Sequence, residues 1–356
     1  MNAQDKLTTQ SIRRAVQLEG LKQGEVNKFA KFLKEMDVLL RARLSTDEMT
    51  TFKRGRLESL LKDVSGSLGV IFDANMKQLL DSMENIAVSE SSFEAKSLQL
   101  AIGSSATVAL PVLDEVKKSI LSAPLSVRGA DGGKLLEQAV ADFTTVEKQR
   151  IVGAIRQGVF EGQTNGEIIQ KLRGTRANQF KDGILDITSR NAEAIVRTGI
   201  AHVATTARNE TFKANNDIVD KVEWQSTLDG RTSEICRSLS GQQFPLNSGL
   251  RPPAHWRCRS TITAVLNSEF AYLSRGGQQS SMNGTVSADL TYYDWLKMQP
   301  VEFQDSVIGV NRGNLLRNGG LSSDEFARLQ LNKNFKPLTL DDMRKLEPLA
   351  FVKASI

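Results

Sequence analysis

The feature that most limits the possible folds is a run of apolar side chains: Phe52, Leu57, Leu61, Val64, Leu68, Ile71, Met76, Leu79, Leu80 and Met83. Steps of three, four and seven place them on one face of a helix. Residues 46–86 as one helix would be about 60 Å long at ~1.5 Å per residue. A stripe of that length needs other helices to cover it, from this chain or from another protein. Ser45 with Glu48 forms a capping-box pattern at the start of this run, in which a hydroxyl and a carboxylate satisfy free backbone N–H groups. Gly55, Gly66 and Gly69 lie inside it. Each costs about 1 kcal/mol against alanine in a helix, which predicts a break near 66–69.

The remaining pattern predicts an α+β fold that is mainly helical. It comprises an N-terminal long-helix region, a central helical layer with a small antiparallel sheet, and C-terminal short helices. Pro124, Gly129, Gly132 and Gly133 mark a boundary over 122–134. Helices are predicted over about 135–160, from the Thr164/Glu167 capping box through Leu172, and over about 188–214. On the last, Ala192, Ile195, Val196, Gly199, Val203 and Ala207 form a buried side small enough for close packing. After Asn216, Val222–Gln225 alternates like a half-buried strand. Leu228-Asp229-Gly230-Arg231 reads as a turn, and Arg259–Val265 as a second strand rich in β-branched residues. Residues 274–289 read as a loop or linker. Short helices follow near Thr291, over about 301–317, after Ser322 with Glu325, and near 341–346. The parts are 1–121, 135–268 and 274–356.

Apolar residues make up 40% and charged residues 24% of the 356 positions, as in ordinary globular proteins. The net charge of +5 is a small excess, without the strong clustering of a dedicated nucleic-acid binder. Two cysteines are too few for a disulfide scaffold and suit a reducing cytoplasm. The polar start, Met1-Asn2-Ala3-Gln4-Asp5-Lys6, does not read as a signal peptide. No apolar run approaches the ~20 residues of a membrane span.

Residues 224–262 carry the most chemistry. His255 and Cys258, at i and i+3, can approach one metal from a tight turn, and Cys236 can supply a third ligand. Zinc favours such donors and takes four ligands in structural sites, which leaves Asp229 or water for the last position. The same three side chains can instead pack without metal. Either arrangement would tether an irregular stretch of about thirty residues. Pro252-Pro253 would stiffen that stretch, and Trp224 and Phe244 would form its apolar floor. Arg251, Arg257 and Arg259 cluster beside Trp256 and could meet phosphates and a base, or pair with carboxylates or a partner surface. His202 reads as an ordinary polar or half-buried helix residue. No nucleophile elbow or phosphate loop is present.

The order Trp224 … Asp229-x-Arg231 … Cys236 … Gly241-x-x-Phe244 … Pro252-Pro253-x-His255-x-x-Cys258-Arg259 resembles the signature of phage Mu protein F-like minor head proteins. Ile195-Val196-Arg197-Thr198 and Arg208-Asn209 resemble that family's preceding helix, and Gly162 to Glu167 its upstream helix. The resemblance covers about 150–266. Tyr292–Leu296, Arg312-Gly313 and Leu321-Ser322 resemble tails of some phage members. Ser260 stands where a Cys-Arg-Cys ending is common, and Gly199 where an acidic residue often follows Thr198.

The resemblance implies a virion component of the head interior or portal vertex, made in the host cytoplasm. Its implied partners are the portal protein and other head proteins, with packaged DNA and further copies of itself as additional candidates. The implied role is in head morphogenesis, DNA packaging or ejection, with no catalytic or cofactor-binding residues. The rival readings are a toxin-like enzyme (an ADP-ribosyltransferase or zinc-dependent nuclease) and a DNA-binding ejection protein.

Overall fold

The computed structural model describes residues 3–45, 54–128, 132–273 and 278–356. Two long helices come first: α1 (Ala3–Ser45) and α2 (Arg54–Ile102). At 43 and 49 residues they are about 65 and 74 Å long. They run antiparallel, with Ala3 and Leu7 beside Leu98, Ala101 and Ile102. Glu48 and Phe52 lie outside the described residues, so the Ser45/Glu48 capping box does too.

The helix α2 passes through Gly66 and Gly69 without the expected break. The glycine penalties are outweighed locally, because Val64, Leu68 and Phe72 are fully buried and each such burial contributes roughly 1.5–3 kcal/mol.

Next come α3 (Leu113–Ser122), α4 (Leu136–Phe160), α5 (Asn165–Arg173) and α6 (Ile184–Lys213). The Thr164/Glu167 capping box opens α5. One apolar core joins α1, α2, α4, α5 and α6, with Phe143 of α4 meeting Phe29 and Phe72 edge-on at 6.2 and 5.9 Å. The two long helices therefore share their main core with the middle of the chain.

The sheet is three-stranded and antiparallel, in the order β2-β1-β3. It comprises β1 (Val219–Gln225), β2 (Gln243–Pro245) and β3 (Thr261–Leu266), with α7 (Glu234–Leu239) between the first two. Val222 pairs with Phe244 on one side and Ala264 on the other. Val222, Ile262 and Ala264 pack with Leu7, Leu98 and Phe212, seating the sheet on the meeting ends of α1 and α2. A short 3-10 turn follows over Ser268–Leu273.

Part of the expected 274–289 loop is a hairpin, β4 (Gln278–Ser281) with β5 (Gly284–Ser287). Residues 274–277 lie outside the described set. The hairpin is held by the buried Gln279 amide, which donates to the carbonyls of Ser287, Ala288 and Leu290. It is also held by Met282 N–H, which donates to Leu228 O at 3.0 Å.

The C-terminal helices are α8 (Tyr292–Lys297), α9 (Val301–Ile308), α10 (Val310–Asn318), α11 (Ser323–Leu329), α12 (Leu340–Leu346) and α13 (Pro348–Lys353). The expected single helix over 301–317 is two, because Gly309 takes φ 82°, outside helical space. These helices build a second core around Tyr292, Trp295, Phe326 and Phe351, which also takes in Leu228. Among the described residues, no helix is long and apolar enough to cross a membrane.

Candidate metal centre

The site grows from the end of β1. Trp224 is fully buried, and its indole N–H donates to Ser226 Oγ at 3.1 Å. Ser226 Oγ in turn donates to the carbonyl of Cys236. The expected turn then forms around Asp229, which accepts from the backbone N–H of Arg231 at 2.9 Å. Arg259 closes a two-pronged pair on the same carboxylate, at 2.6 and 2.8 Å. Burial alone would raise the Asp229 carboxyl. The Arg259 hydrogen bonds and charge outweigh it, helped by Arg231 N–H and the Thr232 hydroxyl, and hold the group below its ordinary value. The Arg231 side chain itself is exposed.

Ser233 caps α7 by accepting from Cys236 N–H, so the cysteine lies in the first turn and points inward. The other two donors come from the turn after Pro252-Pro253, where Cys258 N–H donates to His255 O at 3.2 Å. Arg251 fixes the approach. Its guanidinium donates to Asn209 Oδ1 at 3.0 Å and to the carbonyls of Pro245, Leu246, Ser248 and Leu250. Arg257 adopts φ 60°. Its N–H donates to Thr198 Oγ1 at 2.9 Å and its side chain to Arg190 O at 2.5 Å, which pins the turn to α6.

These constraints bring Cys236, His255 and Cys258 together. Cys236 Sγ lies 3.6 Å from Cys258 Sγ and 3.2 Å from His255 Nε2. All three donor atoms lie within 4.8 Å of one another. Both thiols are free and buried. The hydrogen bond between the sulfurs splits them. Together with burial it pushes the Cys236 thiol up, while the Cys236 thiol and the adjacent His255 pull Cys258 down. Trp224, Leu239 and Ala254 pack around the pair, with Phe244 half-buried beside them. Asp229 is not part of this group; its carboxylate belongs to Arg259.

A cavity of about 30 Å³ adjoins Cys236 and His255 and is lined also by Thr232, Ser233 and Ser260. It has room for a water or an ion. Two larger cavities, each of about 410 Å³, flank the region. One runs between α1, the Asp229–Arg259 pair and β4. The other is bordered by Trp256, Arg257, Glu147 and Arg150. His202 is buried on α6 with Nε2 3.4 Å from Ile120 O, and burial depresses its pKa.

The helix motif residues act as braces. Arg208 is buried and forms ion pairs with Glu90 and Glu94 of α2, besides donating to Ile262 O of β3 at 2.9 Å. Arg14 of α1 reaches Glu90 at 2.8 Å. Arg197 bridges Glu19 and Glu193 at 3.0 and 2.7 Å. Glu90 and Glu94 were not foreseen from the sequence. The i, i+4 spacing of Glu90 and Glu94 was the one available signal, since it places two carboxylates on one helix face.

The fold is mainly helical α+β with a small antiparallel sheet, and buried charged side chains brace its elements against one another. A family model described as Phage Mu protein F like protein matches residues 149–263. That segment, about a third of the chain's length, is similar to the phage Mu protein F-like family. No curated protein and no solved structure matches it.

Proposed function

We propose that this chain is a minor head protein of a tailed bacteriophage, acting at the portal vertex or in the capsid interior to support head assembly, genome packaging or DNA delivery. The observation that carries the reading is the family match over 149–263. Its side chains support an architectural role. Thr198, Arg208, Asn209, Arg251 and Arg259 all bond to other parts of the chain. Arg251 and Arg259 in particular would have to give up internal acceptors to reach phosphate, so contact with packaged DNA falls to other parts of the surface. The partners of such a protein are the portal protein and other head proteins.

The test is mass spectrometry of purified virions and of prohead intermediates from the phage that encodes the chain, with cross-linking to locate its neighbours. The chain is expected in both particles, cross-linked to the portal or to proteins of the inner head. Its absence from both would overturn the proposal.

A further inference from the structure

We propose that Cys236, His255 and Cys258 hold one structural zinc ion, with a water in the adjoining cavity as fourth ligand. The site needs no reading of the head function and stands on four observations.

The first is spacing. Tetrahedral zinc, with Zn–S near 2.3 Å and Zn–N near 2.0–2.1 Å, separates two sulfurs by about 3.7 Å and a sulfur from a nitrogen by about 3.6 Å. The structure gives 3.6 Å for Cys236 to Cys258 and 3.2 Å for Cys236 to His255. The ion fits with shifts of a few tenths of an ångström.

The second is the orientation of the imidazole. His255 Nδ1 lies 2.8 Å from Trp256 O. An N–H must point at that carbonyl, which leaves the Nε2 lone pair facing Cys236 Sγ. Ligating histidines are oriented by the same kind of bond on the far ring nitrogen. The third is the donor set. Two sulfurs and one imidazole favour zinc over hard cations. Coordination releases the two thiol protons to solvent, and a dication with two thiolates and a neutral imidazole carries no net charge, which suits a buried place.

The fourth is the remaining ligand position. The 30 Å³ cavity touches Cys236 and His255 and is lined also by Thr232, Ser233 and Ser260. One water fits there with several polar partners. Between β1 and β3 the chain has only the six residues of α7 and the three of β2 in regular structure. A metal joining α7 to the turn before β3 would cross-link that stretch.

The full chain, grown with zinc and purified without chelator, should carry about one zinc per chain by elemental mass spectrometry. Cobalt(II) in its place should show thiolate charge-transfer absorption and the intense visible bands of a four-coordinate ion. His255→Ala should lose the zinc. Because that variant could also unfold, Ser260→Cys provides the independent arm. A thiol in the cavity would replace the water and should tighten zinc binding about tenfold or more. A metal-free chain with both thiols reactive would overturn the proposal. So would a mass two hydrogens short, which means a Cys236–Cys258 disulfide, or a Ser260→Cys variant with unchanged zinc affinity.

Discussion

Gly199 shows how a single missing side chain fixes a helix crossing. It sits on α6 facing α2, and a Cβ there would run into the end of Met83 and crowd Leu136. Thr198 beside it is fully buried and receives the Arg257 N–H. An acidic residue at 199 would place a charge in this contact. Gly199→Ala regains about 1 kcal/mol of helix propensity while displacing only the flexible end of Met83, whereas the larger Gly199→Val is expected to destabilise the chain by roughly 1–3 kcal/mol through overpacking. Urea unfolding would register this as a lower midpoint at constant slope. Adding Met83→Ala should recover part of the loss, since touching residues are not additive. A neutral Gly199→Val would mean that the helices simply move apart. The sequence showed that 199 lies on a small-residue face, but Met83, 116 positions away, is known only from the packing.

At the scale of elements, α1, α2, α6 and β3 are joined by one buried ionic cluster of Arg14, Glu90, Glu94 and Arg208. Burial pushes Glu94 up to about 7, against the pull of Arg208. Its folded value then lies above the ordinary 4.5. The folded state holds more protons than the unfolded state across that window, so this contribution to stability is full below about 4.5 and declines as pH rises towards 7. Glu94→Gln should flatten that slope in a melting series across pH 4.5–7, and an unchanged slope would clear Glu94 of the effect. Elements were legible where the signal was local. The Thr164/Glu167 and Ser322/Glu325 capping boxes both appear, because each is complete within four residues. The split at Gly309 and the hairpin at 278–287 were missed. One depends on a positive φ that many glycines never adopt, and the other on the Gln279 amide reaching the carbonyls of Ser287, Ala288 and Leu290.

Across the whole molecule, the family-matched stretch 149–263 does not own its core. It begins inside α4, and its longest helix, α6, packs on α1, α2 and α4. The sheet rests on Leu7, Leu98 and Ile102. A fragment of 149–263 alone should therefore expose these faces, melt without cooperativity and show little amide protection, while the full chain melts cooperatively. A cooperative transition in the fragment would show that the long helices are dispensable for folding.

The sequence by itself determined the helical stripe, the strands that form over Val219–Gln225 and Thr261–Leu266, and the presence of Cys236, His255 and Cys258 on one irregular stretch. These are properties of residue type and nearby spacing, set by side-chain periodicity and backbone preference. Only the tertiary structure decided that Asp229 pairs with Arg259, that Arg208 reaches two carboxylates on α2, and that α2 runs unbroken through its glycines. Those outcomes depend on which distant groups share a buried volume. The energy of burial and charge pairing there exceeds any local preference, and it is set by neighbours that sequence spacing does not specify.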